Sequence, residues 1–117
     1  SRWPILERLP RPGWSKGRIV LLGDACHAMR PHMGQGAAMA IEDAVVLARC
    51  TAEAGSVAVA DTFRLYEALR YERATKVQTS SQHNMWLKDA KEDPGWLYSH
   101  DVLKLPLAMP AAAAGVA

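Results

Sequence analysis

The 117-residue sequence predicts a piece of an α/β fold that is mostly helical, with one buried strand followed by two long helices. Residues 18–22 (RIVLL) form an apolar run of the kind found in strands buried on both faces. Apolar residues then recur at helical spacing from Gly34 to about Ala54, and again in a longer segment that begins at Asp61. Because one strand cannot form a sheet, we expect its partner strands to come from outside this chain, which indicates a fragment.

The composition excludes several classes of protein. The sequence has 14 Lys and Arg residues and 12 Asp and Glu residues, which gives a net charge of +2. The basic residues form no stripe along the sequence, which argues against a nucleic-acid partner. No apolar run approaches the roughly 20 residues of a membrane span, and no signal peptide is recognisable. The two cysteines, Cys26 and Cys50, form neither a disulfide framework nor a C-x-x-C pair. These features predict a cytoplasmic protein, or a piece of one, with no membrane partner.

The strand and helices lie between two segments of different character. Residues 1–17, called the lead-in below, contain three prolines and two glycines and are predicted to be an irregular connection from a missing upstream domain. Residues 18–105 would form the carboxy-terminal part of a larger domain, with a turn at 93–95 and a last short helix from 96–98. Residues 106–117 are predicted to be a disordered tail.

The two long helices differ in their predicted surroundings. In the first, Gly36 and many alanines allow close backbone approach, Glu42 and Asp43 fall where the helix dipole favours negative charge, and Gly55 is a natural stop. The second helix is predicted over residues 61–89, with Asp61 as its N-cap. An apolar stripe with Arg and Glu on the other faces predicts a packing helix that is solvated on one side. The residues of this stripe are Phe63, Tyr66, Leu69, Ala74, Val77 and Ser81.

Two features beside the strand predict a ligand site. Asp24 follows the strand, where open α/β sheets bind ligands, and its carboxylate can accept hydrogen bonds from two hydroxyls of a sugar or sugar-alcohol chain. The simpler alternative is that Asp24 caps a local turn. The first helix opens with few large side chains, in the order Gly34, Gln35, Gly36, Ala37 and Ala38. Its backbone N–H groups can therefore face an anion or a partial negative charge.

Phosphate is a weaker interpretation of the same glycines. A dinucleotide fingerprint places its glycines immediately after the strand, whereas about ten residues intervene here and the third glycine is missing.

The loop between strand and helix contains further polar residues. Cys26, His27 and His32, together with Asp24, match no standard zinc spacing, so no metal is predicted. A Cys26–His27 nucleophile pair is not favoured either, because adjacent residues rarely face each other. His27 is interpreted as a structural hydrogen-bonding residue that fixes the loop. His32 follows Pro31 and is either directed into a pocket or exposed on the loop.

Taken together, these motifs resemble a known family. Residues 23–27 (GDACH), Pro31, residues 34–38 (GQGAA) and residues 41–44 (IEDA) resemble the second FAD-binding segment of the class A flavin-dependent aromatic hydroxylases. The similarity continues in the Y-E-x-x-R-x-x-R pattern that starts at Tyr66. Residues 80–87 and 96–101 are most similar to the members that hydroxylate nicotinate derivatives. The resemblance covers about residues 14–107.

The resemblance implies a role for each motif. Asp24 would bind the ribityl hydroxyls of FAD, Pro31 would lie beside the isoalloxazine ring, and backbone amides of residues 34–38 would lie near the N1–C2 carbonyl region of that ring. His32 would be the candidate for substrate contact. The implied fold is a Rossmann-like FAD/NAD(P)-binding flavoprotein monooxygenase. The implied reaction hydroxylates an aromatic or heteroaromatic acid with NAD(P)H and O2, as in the catabolism of aromatic compounds.

The same resemblance implies parts that this chain lacks. The G-x-G-x-x-G turn, the central segment that helps to bind both cofactors and the base that deprotonates the substrate would all lie upstream, in a missing amino-terminal part of the same enzyme. No catalytic residue is therefore assigned to this chain, which is expected neither to hold FAD firmly nor to hydroxylate by itself. A non-enzymatic helical interaction module and another G-D-motif flavoprotein, such as a halogenase or reductase, stay open as alternatives. A homo-oligomer also stays open.

Overall fold

The computed structural model describes residues 2–83 and 93–111. Two short strands come first, β1 (Ser15–Lys16) and β2 (Ile19–Val20), followed by the single helical turn α1 (Asp24–His27) and a 3-10 turn over Pro31–Met33. Two long helices follow, α2 (Gln35–Glu53) and α3 (Val59–His83), and α4 (Gly95–Tyr98) is a last short turn of helix. No helix in the described ranges combines the length and apolar character that crossing a bilayer requires.

The strand predicted over residues 18–22 is present, but it is shorter than expected and is not buried on both faces. β2 pairs with β1 in an antiparallel two-stranded sheet, with Ser15 opposite Val20. Ile19 is 70% exposed and Leu22 40% exposed. Burial on both faces requires a sheet that is covered on each side, and the described residues supply β1 alone as a sheet partner.

α2 lies where the sequence predicts it. Gly34 precedes it in the left-handed conformation, with φ 63°, and donates its N–H to the carbonyl of Pro31. Gly55, with φ 54°, follows its end. The buried face of α2 is formed by residues at intervals of three and four, namely Met39, Asp43, Val46 and Cys50.

α3 begins before the predicted N-cap. The N–H groups of Asp61 and Thr62 both donate to the carbonyl of Ala58, so the helix is already under way at Asp61. Asp61 therefore lies in the first turn, where it pairs with Arg64 on the surface. The predicted continuation over residues 84–89 lies outside the described residues.

The predicted stripe of α3 is largely confirmed, with one difference that matters for the site. Its buried residues are Thr62, Tyr66, Arg70, Ala74, Val77, Gln78 and Ser81. Arg70 is thus buried on the packing face, which corrects the prediction that the arginines of this helix lie on the other faces. The reason is a pair of carboxylates on α2, described below.

The lead-in is irregular up to Gly13, but its end is anchored to the helices. Trp14 is buried in the first of two core clusters, formed by Trp14, Cys26, Val46, Cys50, Tyr66 and Ala74. The Glu67 carboxylate accepts hydrogen bonds from the backbone N–H groups of Gly13 (2.6 Å), Trp14 (2.9 Å) and Ser15 (3.2 Å). α3 therefore holds the segment from which β1 begins.

The last described segment contacts both core clusters. Leu97 on α4 joins Met39 and Val77 in the second core cluster. Of the tail predicted to be disordered, the structure describes residues up to 111, and Leu107 packs half-buried against the first cluster. Residues 112–117 lie outside the described residues.

Candidate functional site

The carboxylate of Asp24 and the start of α2 lie side by side. A Cβ atom placed on Gly36 would lie 3.9 Å from Oδ1 of Asp24 and 3.8 Å from Cγ of Met29. Asp24 is exposed, and so are Gly34 and Ala37. Residues that ten positions separate in sequence thus form one accessible surface, called the Asp24–α2 surface below and consisting of Asp24 and residues 34–38.

The start of α2 is open to a ligand. Among the described residues no side chain caps its amino end, and its first turn contains no acidic residue. Apart from its two chain neighbours, no described residue comes within 4 Å of a Cβ placed on Gly34. The first-turn N–H groups of a helix have no partner within the helix, and the helix dipole makes this end favourable for negative charge. The surface can therefore accept hydroxyl hydrogen bonds at Asp24 and donate N–H groups to an electron-rich oxygen or ring atom.

The turn that carries Asp24 is held tightly against α2. Gly23 has φ 61° and ψ −137°, a conformation that favours glycine. A Cβ on Gly23 would lie 3.1 Å from Cβ of Ala40. The Gly23 carbonyl accepts hydrogen bonds from the backbone N–H of Cys26 and of His27, both at 3.0 Å. Glycine is therefore needed here both for its conformation and for its close contact with the helix.

Asp43 connects the Asp24 turn to the two long helices. Its Oδ2 accepts hydrogen bonds from the backbone N–H of Gly23 (3.0 Å) and from Nε2 of His27 (2.6 Å). Its Oδ1 accepts a hydrogen bond from Nε of Arg70 (2.7 Å). Burial alone would raise the pKa of Asp43, but the hydrogen bonds from His27, Arg70 and Gly23 hold this pKa below its ordinary value. Asp43 is thus a buried carboxylate that stays ionised.

A second carboxylate extends this network to α4. Glu42 accepts a hydrogen bond from Nη1 of Arg70 (2.7 Å) and two from Nε and Nη2 of Arg73, both at 2.7 Å. Arg73 also donates to the backbone carbonyls of Trp96 and Leu97, both at 3.0 Å. Burial acts to raise the pKa of Glu42, but Arg73 and Arg70 hold it below its ordinary value. Two carboxylates and two guanidinium groups therefore balance each other between the helices.

This network is not predicted by the sequence patterns described above. The sequence predicts that Glu42 and Asp43 interact with the helix dipole, but both lie beyond the first turn of α2, and Asp43 is 0% exposed. A signal was available. Asp43 follows the buried Met39 by four positions, and Arg70 follows the buried Tyr66 by four. A charged residue on the apolar stripe of each of two neighbouring helices predicts an ion pair between them, because such residues are rarely buried unpaired.

His27 has the structural role that the sequence predicts. It is 1% exposed, bonds to Asp43 and lies with its ring centroid 5.5 Å from that of Trp14. Ligand atoms of Cys26, His27 and Asp43 lie within 4.8 Å of one another, which is a geometry that could hold a cation. Both Asp43 oxygens already accept hydrogen bonds, however, and burial, with the Asp43 charge, raises the pKa of the Cys26 thiol to about 12. A protonated thiol is a poor metal ligand and a poor nucleophile, so neither function is assigned to this cluster.

The 3-10 turn lies between Asp24 and α2 in the chain. Pro31 is exposed at its first position, and His32 is its middle residue. The predicted substrate contact depends on the His32 side chain, which falls outside what the structure describes.

Comparison with known proteins identifies the family. The sequence model of the FAD binding domain family matches residues 1–81. The chain belongs to this FAD-binding family. It is 56% identical over 110 residues to 6-hydroxynicotinate 3-monooxygenase of Pseudomonas fluorescens, and this alignment covers 94% of the chain and 28% of the relative. It is 36% identical to salicylate hydroxylase of Pseudomonas putida, over 86% of the chain and 27% of the relative.

Solved structures agree with this membership. The crystal structure of CtdE in complex with FAD matches with a TM-score of 0.72 and 39% identity, covering 84% of the chain and 24% of that structure. The predicted resemblance to the class A flavin-dependent hydroxylases and the predicted fold class are thereby confirmed. The chain spans about 28% of the length of the two 6-hydroxynicotinate 3-monooxygenases that it matches.

The residues of this FAD-binding chain fit the cofactor of its family. Gly36 leaves room that a Cβ would fill between the Asp24 carboxylate and the helix start. The ribityl chain of FAD offers hydroxyl donors, and its isoalloxazine ring carries electron-rich oxygen and nitrogen atoms. The carboxylate and the N–H groups of the Asp24–α2 surface match these two kinds of group in chemical character.

Proposed function

We propose that this chain forms the side of an FAD site that faces the ribityl chain and the isoalloxazine ring, in an enzyme that hydroxylates an aromatic or heteroaromatic acid. The observation that carries the proposal is that the Asp24 carboxylate lies beside the open start of α2, where its Oδ1 would be 3.9 Å from a Cβ placed on Gly36. A carboxylate for hydroxyls and a helix start for an electron-rich ring lie next to each other on one exposed surface.

Each part of the surface has a distinct task in this proposal. Asp24 accepts hydrogen bonds from ribityl hydroxyls, and backbone N–H groups of residues 34–38 stabilise negative charge near the ring. Pro31, rigid and exposed at the first position of its turn, borders the ring. His32 is the candidate for contact with the substrate. When bound, FAD supplies the redox chemistry with NAD(P)H and O2. The residues of this chain bind, orient and stabilise charge, and the catalytic base lies elsewhere in the enzyme.

The relatives favour a heteroaromatic acid as substrate. Two of them, from Pseudomonas fluorescens and Bordetella bronchiseptica, are 6-hydroxynicotinate 3-monooxygenases at 56% and 57% identity, whereas salicylate hydroxylase is 36% identical. We therefore propose a hydroxynicotinate-like substrate in preference to a benzoate. We also place the enzyme in the cytoplasm, because both of its cysteines here are free thiols.

Replacing Asp24 tests the cofactor site. In the whole enzyme that contains this sequence, Asp24→Ala removes the hydrogen bonds to the ribityl hydroxyls, at a cost of about 1–3 kcal/mol. The Kd for FAD should then rise about 5- to 150-fold, as measured by quenching of flavin fluorescence on titrating the apoenzyme. Asp61→Ala is the matched control, because it removes an exposed carboxylate that pairs with Arg64 on α3. If FAD affinity is unchanged in Asp24→Ala, Asp24 is not part of the site.

The substrate class needs a separate measurement. Oxidation of NADH and NADPH by the whole enzyme should be stimulated by hydroxynicotinates more than by hydroxybenzoates, with formation of a hydroxylated product. Failure of every aromatic acid to stimulate oxidation would contradict the hydroxylase assignment without affecting the result for Asp24.

A further inference from the structure

A row of three α2 residues contacts the turn that carries Asp24. Gly36, Ala40 and Asp43 are spaced by four and three positions, so they lie on one face of the helix. Gly36 lies beside Oδ1 of Asp24, and Ala40 lies against Gly23. Asp43 accepts the N–H of Gly23 at 3.0 Å. The Ala40 contact is a close approach of small residues, the Gly36 contact is at an ordinary packing distance, and the Asp43 contact is a directed hydrogen bond to a buried charge.

We propose that Asp43 is the positioning residue of the FAD site, holding the Asp24 turn at a fixed place relative to the start of α2. This inference rests on the proposed function, since it concerns how the two halves of the Asp24–α2 surface are kept together. Asp43 itself is buried, so it would act through Gly23 and His27.

The hydrogen bonds of Asp43 explain why a carboxylate is needed at this position. Its Oδ2 accepts from two groups on the Asp24 turn, the Gly23 N–H and His27 Nε2, while its Oδ1 accepts from Arg70. The turn is thus attached at both of its ends, Gly23 before Asp24 and His27 at the last position of α1. Arg70 fixes the orientation of the carboxylate from the opposite side. An amide at position 43 would retain one acceptor oxygen and could not serve all three donors.

Glu42 offers a matched control within the same network. It is adjacent to Asp43, carries the same charge and shares Arg70 with it, but its hydrogen bonds run to Arg70 and Arg73 and to neither Gly23 nor His27. A general loss of stability should follow from changing either acid. A loss of cofactor affinity through the Asp24 turn should follow from changing Asp43 alone.

The experiment compares Asp43→Asn with Glu42→Gln in the whole enzyme. Both variants should unfold at a lower temperature than the wild type. Asp43→Asn should raise the Kd for FAD roughly tenfold or more, because small displacements of a binding group are costly, whereas Glu42→Gln should stay within about twofold of the wild type. If Asp43→Asn leaves the Kd unchanged, or if the two variants weaken FAD binding equally, the inference is overturned.

A double-mutant cycle separates positioning from general destabilisation. If Asp43 acts through Asp24, the Kd of Asp24→Ala/Asp43→Asn should be close to that of the weaker-binding single variant, because the position of a missing carboxylate no longer matters. Fold-changes that simply multiply would show that Asp43 acts independently of Asp24 and would contradict the inference.

The same variants distinguish a failure of this inference from a failure of the proposed function. An unchanged Kd in Asp24→Ala refutes the proposed site. A raised Kd in Asp24→Ala with an unchanged Kd in Asp43→Asn refutes the positioning role alone. Should Asp43→Asn not fold, Asp43→Asn/Arg70→Gln removes the buried anion and cation together and leaves Glu42 paired with Arg73. This variant should show the same rise in Kd, and wild-type affinity in it would overturn the inference.

Discussion

Arg70 is a buried cation that pairs with two carboxylates, and replacing it should be costly. It is 0% exposed and donates to Asp43 and Glu42 at 2.7 Å each, with a longer contact of 3.5 Å to the carbonyl of Met39. Arg70→Met keeps a long side chain that can fill the same space but removes the charge and the donors. Asp43 is then left as a buried anion whose remaining partners are Gly23 and His27.

Removal of one partner from a buried ion pair costs about 3–5 kcal/mol, so we expect a loss of this size in the free energy of unfolding. Arg64 provides the comparison within the same helix. It also pairs with an aspartate, but its side chain is 65% exposed and that of Asp61 is 53% exposed. Exposed pairs of this kind are worth about 0–1 kcal/mol, so Arg64→Met should be nearly neutral.

The loss in Arg70→Met should also depend on pH in a defined direction. Arg70 helps to hold the pKa values of Asp43 and Glu42 below their ordinary values of 3.8 and 4.5. A carboxyl group whose pKa is lowered by folding stabilises the fold above its unfolded pKa, and this contribution is lost as the pH falls through the folded pKa. The difference in free energy of unfolding between the wild type and Arg70→Met should therefore be largest near neutral pH and should become smaller below about pH 4.

Urea unfolding followed by helical circular dichroism measures the stability loss in Arg70→Met, the stability loss in Arg64→Met and the pH dependence of the first. The midpoint and the slope of each transition are fitted separately. The reasoning is refuted if Arg70→Met loses no more stability than Arg64→Met at pH 7. It is also refuted if the loss in Arg70→Met does not narrow on acidification.

Two further predictions concern the Asp24 turn. Gly23→Ala should lower the free energy of unfolding by more than Gly17→Ala. Both glycines have φ near 60°, but the added Cβ would lie 3.1 Å from Ala40 at position 23, whereas at position 17 no described residue other than the chain neighbours would come within 4 Å. Equal losses of stability in the two variants, measured by urea unfolding, would contradict the close contact. Cys26, whose pKa is raised to about 12 by burial, should not react with a thiol reagent at pH 8 in the folded protein and should react after unfolding. Rapid labelling of Cys26 in the native state would contradict the packing described.

The helices and the family could be predicted from the sequence because both depend on local patterns. The interval of three and four between apolar residues and the glycines at 34 and 55 define α2. The short motifs around Asp24 lie within about twenty residues of one another, so their spacing alone carries the resemblance.

The features that the sequence does not predict depend on contacts between distant residues. The burial of Arg70 is favourable only because Asp43 and Glu42 face it from another helix, 27 and 28 positions away. The exposure of Ile19 and Leu22, in a segment predicted to be buried on both faces, has a similar reason. An apolar run predicts burial by whatever covers it, and β1 pairs with β2 along one edge without covering its faces.

The separation of Asp43 and Arg70 by 27 positions has a consequence during synthesis of the chain. At about 5–20 residues per second, Arg70 is added roughly 1–5 s after Asp43. During this interval the Asp24 turn and the start of α2 have already been made, while the cation that balances Asp43 has not. The Asp24–α2 surface is therefore completed from the carboxy-terminal side, and a nascent chain that stops before Arg70 would contain every residue of that surface without the helix that secures it.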